Sequence, residues 1–186
     1  MNAVVKMKPD WTIRAAAVVL CALAVPAQAA AGLPGGATSL NEAHADWTLV
    51  CNTQIQAAGG AVQCAVSQAQ FDKASKRRVL TIVINPQAGG SVKGMLVMPF
   101  GLSLDKGVTF QLDAGAVTPA AHFRTCLPAG CLVALDWPEA TAKAMRSATT
   151  LKVSAVSDNG QPAPFSISMN GFASAMDRAI ALTAKQ

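Results

Sequence analysis

The 186-residue chain carries 15 Lys and Arg against 10 Asp and Glu, a formal net charge of +5. A surplus this small argues against a nucleic-acid partner, which needs a clustered basic stripe; the single dense run, Lys76-Arg77-Arg78, reads as a solvated strand end. Tyrosine is absent, and only two histidines and two glutamates are available for acid–base work.

Residues 1–14 carry Lys6, Lys8 and Arg14 against Asp10, and residues 15–25 are uncharged and mostly Ala, Val and Leu. Pro26 breaks that run before Ala27-Gln28-Ala29. A basic stretch, a short apolar stretch and an A-x-A site form a secretory signal, so residues 1–29 are expected to be cleaved off. The apolar run is too short for a transmembrane anchor, which needs about 20 residues. Leu20, in the position before Cys21, argues against a lipoprotein. The exported chain is one domain's worth of residues, enough to bury a real core. Its net charge falls to about +3, and with no second apolar span it is expected to be soluble.

Residues 30–45, rich in Ala, Gly and Ser, read as a flexible lead-in to a β domain over 46–184. Trp47, Leu49 and Cys51 alternate with polar neighbours, and so do Val62, Cys64 and Val66 beyond a Gly59-Gly60 turn. Period-two alternation around such a turn predicts a β-hairpin. Folding it near residues 57–58 sets Cys51 opposite Cys64, within disulfide reach. Strands are expected next at 79–84, apolar on both faces, and at 92–98. Gly101-Leu102-Ser103 lacks the second glycine of a nucleophile elbow and reads as a turn. Val108, Phe110 and Leu112 predict a half-buried strand.

Strands at 123–126 and 131–137 flank Cys126-Leu-Pro-Ala-Gly-Cys131, whose Pro128 and Gly130 suit a tight disulfide ring. The alternative of a four-thiolate zinc site fails on the gap between Cys51 and Cys64, since zinc ligands come in close knuckles. Four cysteines left in an oxidising compartment are expected to pair. Residues 138–148 form a short helix with Pro138 and Glu139 early and Lys143 and Arg146 late. Strands at 151–155 and 165–169 surround the turn Asp158-Asn159-Gly160. Phe172, Ala175, Met176, Ala179 and Ile180 have helical spacing, with Asn170 as N-cap. The fold class is mainly β: an antiparallel β-sandwich or distorted barrel with one or two short helices, including a C-terminal one.

No constellation points to catalysis. His44 and His122 read as surface or satisfied histidines, Glu42 and Glu139 are too few for paired-carboxylate chemistry, and Gly89-Gly90 lacks the Lys-Ser/Thr of a phosphate loop. No catalytic, cofactor or metal residues are assigned. Trp47 and Trp137 lie on the expected inner faces and read as core.

The motifs Asp46-Trp47-Thr48-Leu49-Val50-Cys51 and Cys64-Ala-Val-Ser-Gln68 resemble the opening of the invasion-associated locus B family. So do Met98-Pro99-Phe100-Gly101-Leu102, the segment Phe123-Arg-Thr-Cys126 with Gly130-Cys131, and the ending Phe165 to Phe172 with Ala175-Met176-Asp177. The resemblance covers residues 46 to about 182. It implies a periplasmic or surface-associated bacterial protein, in a family named for members linked to host-cell entry, and supplies no catalytic residues. The long lead-in and the absence of tyrosine depart from the family pattern. The expected function is therefore a non-enzymatic exported binding or envelope/host-interaction module with a protein partner. The alternatives are a hydrolase or metal enzyme built on His122, and a periplasmic chaperone or inhibitor using a sheet edge.

Overall fold

In the computed structural model, which describes residues 32–53, 61–72 and 74–184, the period-two segments are strands that turn their apolar side chains to one side. The expected export signal and the 57–60 turn lie outside these residues. The elements are β1 (Ser39–His44), β2 (Trp47–Thr53), β3 (Val62–Phe71), β4 (Arg78–Pro86), β5 (Val92–Met98), β6 (Thr109–Leu112), β7 (Phe123–Leu127), β8 (Gly130–Trp137), α1 (Glu139–Ser147), β9 (Thr150–Val156), β10 (Pro162–Ser168) and α2 (Phe172–Thr183). Seven strands form one antiparallel sheet in the order β1-β2-β3-β4-β5-β8-β7, and three form another in the order β10-β9-β6. The mainly β class with a C-terminal helix is as expected.

One core joins both sheets. The large sheet contributes Trp47, Leu49, Val66, Ile82, Leu96 and Val133; the small one contributes Phe110, Leu151, Val153 and Ile167. Alternate residues of a strand share a face, so the pattern buried at 47, 49 and 51 repeats at 62, 64 and 66 and at 80, 82 and 84. Of the stripe expected on α2, Phe172, Ala175, Met176 and Ala179 are buried together with Leu182, whereas Ile180 is 43% exposed because the buried face turns to Leu182 at the last turn; α2 packs against β1, β2, β3 and β4. Phe172 meets Trp47 with ring centroids 4.8 Å apart. Burying side chains of this size stabilises by roughly 1.5–3 kcal/mol each, so the helix is held by its stripe. The sheets are also stitched by polar contacts: the Trp47 indole N–H and the Gln68 amide both donate to Ser168 O at 2.9 Å.

Two expectations need correction. Within the supposed flexible lead-in, residues 39–44 are β1, paired in register with β2 from Ser39↔Asn52 to His44↔Trp47. Its half-buried side carries Glu42 and His44, whose partners Arg178 and Ser174 lie on α2. A strand held by polar contacts more than a hundred residues away has no apolar alternation to announce it. Nor is Asn170 the N-cap of α2: Gly171 occupies that position in the left-handed region, with no side-chain cap. Gly171 is there because a Cβ would stand 2.0 Å from His44 O, so the β1–β2 turn sits directly on the start of the helix. No helix among the described residues is long and apolar enough to cross a membrane.

Candidate functional site

The cysteines meet in the pairs expected from the hairpins. Cys51 and Cys64 are directly opposed in β2 and β3, buried, with Cα atoms 4.1 Å apart and sulfurs at bonding distance. Cys126 and Cys131 oppose each other across the β7–β8 hairpin, Cα atoms 3.9 Å apart, also at bonding distance. The first pair lies in the core. The second sits at the end of the large sheet, beside the recess described below.

Neither histidine is placed as a general base. His122 is exposed and meets no carboxylate or hydroxyl within hydrogen-bond reach among the described residues, so the geometry required by a hydrolase built on it is not there. His44 lies 3.1 Å from Ser174 Oγ through Nδ1 and 3.4 Å from Glu42 through Nε2. Glu42 accepts two N–H bonds from Arg178, at 3.0 and 2.9 Å, which hold its carboxyl below its ordinary range. Ser174 in turn donates to Gly171 O. The four side chains join β1 to α2. Ser103, in the turn expected there, hydrogen-bonds Asp105 at 3.0 Å. No group of three or more His, Cys, Asp or Glu among the described residues could hold a metal.

The surface feature that stands out is a recess of about 890 Å³ at one end of the large sheet. Phe71, at the end of β3, and Phe100, in the loop after β5, line it and are 59% and 62% exposed. Arg77 and Arg78 lie on the same wall, and Pro128 and Ala129 of the β7–β8 turn form the other. Leu127, on that hairpin, is 50% exposed. Soluble monomers rarely expose large apolar side chains in clusters, and a cluster rimmed by charge marks an interaction surface.

Local geometry explains how five segments converge here. Asp72 accepts the N–H and the hydroxyl of Ser75, both at 2.7 Å, shaping the β3–β4 loop. These bonds, the backbone N–H foremost, keep its carboxyl below the ordinary range, so the one acidic group of the lining keeps its negative charge. Arg78 Nη2 donates to Ala129 O at 2.8 Å and ties the hairpin across. Gly130 adopts φ +134, and a Cβ there would lie 2.4 Å from Met98 O. Only glycine lets the tight turn settle against β5, next to Phe100.

Sequence reasoning passed over Phe71 and Phe100 and set aside Arg77 and Arg78 as a solvated strand end. One signal was present: the buried side of β3 is set by Val62, Cys64, Val66 and Gln68, and Phe71 is a large aromatic off that phase. For Phe100 there was none, because a loop residue has no periodicity to violate.

A family model described as Invasion associated locus B (IalB) protein matches residues 47–179. An invasion protein B homolog of Brucella abortus (strain 2308) is 41% identical over 155 residues, spanning 83% of this chain and 87% of that protein. Invasion protein B of Bartonella bacilliformis is 28% identical over 155 residues, spanning 82% and 81%. The crystal structure of invasion associated protein B from Bartonella henselae is similar with a TM-score of 0.72 at 30% identity, covering 79% of this chain and 99% of that one.

Proposed function

The chain belongs to the invasion associated locus B family, and from that premise we propose that it is an exported, non-catalytic binding module that captures an acidic, apolar segment of a protein in the Phe71–Phe100 recess. The observation that carries this reading is the pair of exposed phenylalanines beside Arg77 and Arg78 on one concave surface. Aromatic and arginine side chains dominate the energetic centres of protein interfaces. Arg77 and Arg78 of the lining, with exposed Lys76 beside them, outnumber its single carboxylate, Asp72. The recess therefore favours a partner bringing carboxylates together with an aromatic or aliphatic side chain. Its concavity favours a protruding polypeptide over a lipid surface, which meets side chains on convex tips.

Export follows from residues 1–29, with cleavage near Ala29 delivering to the periplasm or cell surface a chain whose β domain starts with β1 at Ser39. Cys51–Cys64 and Cys126–Cys131 form as disulfides once there. We assign no catalytic step and no cofactor. The names of the Brucella and Bartonella relatives, as invasion proteins, support a role in invasion.

A peptide-display selection on the immobilised protein tests the recess. Enriched peptides should combine Asp or Glu with Phe, Trp or Leu. Phe100→Ala and Arg77→Glu should each weaken them about thirtyfold, a hot-spot-sized loss, with unchanged circular dichroism. Enrichment of neutral or basic peptides, or binding indifferent to both substitutions, overturns the proposal. So does binding to phosphatidylglycerol vesicles that the same variants abolish, which assigns the recess to membranes.

A further inference from the structure

A second recess lies on another part of the molecule, between α1 and the small sheet. Its volume is about 360 Å³, within the range of roughly 300–1,000 Å³ typical of small-molecule sites. Phe110 of β6 and Leu151 of β9 line one side, and Ala140, Ala144 and Met145 of α1 line the other. Trp137, the last residue of β8, stands between them with its ring edge-on to Phe110 at 5.2 Å and 84°. Ala140 and Ala144 are four apart and so share one helix face. Both alanines are exposed and form the open rim of the cleft.

We propose that this cleft binds a small uncharged apolar molecule, an aliphatic or one- to two-ring aromatic compound carrying a single hydrogen-bond acceptor. Three observations carry the assignment. First, no Lys, Arg, Asp, Glu or His lines the cleft, so an ionised ligand group would be buried without a partner, which is strongly unfavourable.

Second, two of the three amide and hydroxyl side chains of the lining are already engaged, Thr141 being the third. The Gln111 amide donates to Gly115 O at 2.8 Å, and Thr118 Oγ1 accepts the Phe110 N–H at 3.0 Å. Third, the two described tryptophans differ. Trp47 is buried and its indole N–H is bonded to Ser168 O, whereas Trp137 is half-buried and its N–H meets no acceptor among the described residues. The Trp137 N–H reaches solvent, and a ligand acceptor would take the place of water on it. The ligand's apolar body would lie against Phe110, Trp137 and Met145.

N-phenyl-1-naphthylamine, an uncharged dye that brightens in apolar surroundings, is a suitable probe on the purified protein. It should give saturable one-to-one enhancement. In a two-dimensional nitrogen–proton spectrum it should shift the Trp137 indole signal and leave that of Trp47 in place. Ala144→Phe fills the cleft and should weaken the dye at least tenfold while keeping the wild-type thermal midpoint; Ala140→Leu replaces it if that variant does not fold. The anionic dye 8-anilinonaphthalene-1-sulfonate should bind at least tenfold more weakly than the neutral one. An unshifted Trp137 signal, non-saturable enhancement, or equal binding by the filled variant overturns the proposal. Peptide capture at the Phe71–Phe100 recess is read separately, so either site can fail alone.

Discussion

Glycine and alanine exchange roles within one turn of this fold. Gly171 sits at φ +89 with His44 O where its Cβ would be, while Ala45 sits nearby at φ +50, a region that alanine enters at a cost. The two sites predict opposite outcomes in urea unfolding. Gly171→Ala should lose about 2 kcal/mol or more from strain and clash, and Ala45→Gly should gain about 0.5–1 kcal/mol. Among carboxylates, Asp113 accepts the Thr149 hydroxyl at 2.6 Å and the backbone N–H groups of Thr149 and Thr150 at 3.2 and 2.9 Å. These bonds, the Thr149 hydroxyl first, lower its pKa. A carboxylate whose folded pKa is depressed contributes stability that is full above its unfolded value and fades as pH falls through the folded one. Asp113→Asn should thus be less stable than the parent at neutral pH, with the gap closing below the ordinary carboxylate range. A pH series of thermal midpoints measures it, and a gap that stays constant into acid contradicts the assignment.

At the scale of elements, strands that carry their own apolar period were legible in the chain, and those that borrow their hold from elsewhere were not. β2, β3, β6, β8, β9 and β10 follow from alternation in their own residues, and β4 from an unbroken apolar run. β1 depends on Glu42 reaching Arg178 and His44 reaching Ser174, contacts that no local window contains. The cysteine pairings were legible for the same reason as the hairpins, because opposed positions follow from where a turn falls. The candidate recess was not, since its walls come from β3, the β3–β4 loop, the loop after β5 and the β7–β8 turn. The hairpins also rank the bridges. Cys51 and Cys64 are 13 apart in sequence and Cys126 and Cys131 are 5 apart. Replacing the first pair by alanine should therefore cost about 3 kcal/mol in the chain-entropy account and the second pair less. Chemical denaturation of the two double variants checks the order, after peptide mapping without reductant establishes the linkages. The reverse order would mean that native-state effects outweigh loop closure.

For the molecule as a whole, a single core shared by two sheets and α2 leaves its openings at the margins. The Phe71–Phe100 recess lies at one end of the large sheet, and the Trp137 cleft lies where α1 leaves the small sheet partly uncovered. The exposed lining residues at both places hang on elements fixed by the core, so substitutions at them should change binding with little effect on stability, unlike the buried Phe110, Met145 and Leu151. Phe100→Ala should alter the unfolding free energy by less than about 0.5 kcal/mol, as surface changes usually do. Trp47→Ala should lose about 3–5 kcal/mol, since that ring is 1% exposed and packed on Phe172. A Phe100→Ala loss comparable to that of Trp47→Ala would place Phe100 in the folding core and take it out of the binding surface.

The amino-acid sequence alone determined the strand faces, the pairing of cysteines across hairpins, the stripe of α2 and the resemblance to a family, because each is written in spacing over a few residues. Tertiary structure decided that β1 joins the sheet, that Gly171 and not Asn170 begins the last helix, and that Phe71, Phe100, Arg77 and Arg78 face one recess. Those outcomes rest on contacts between segments far apart in the chain, where side-chain packing, close backbone approach and hydrogen-bond partners exist only after the sheets have come together.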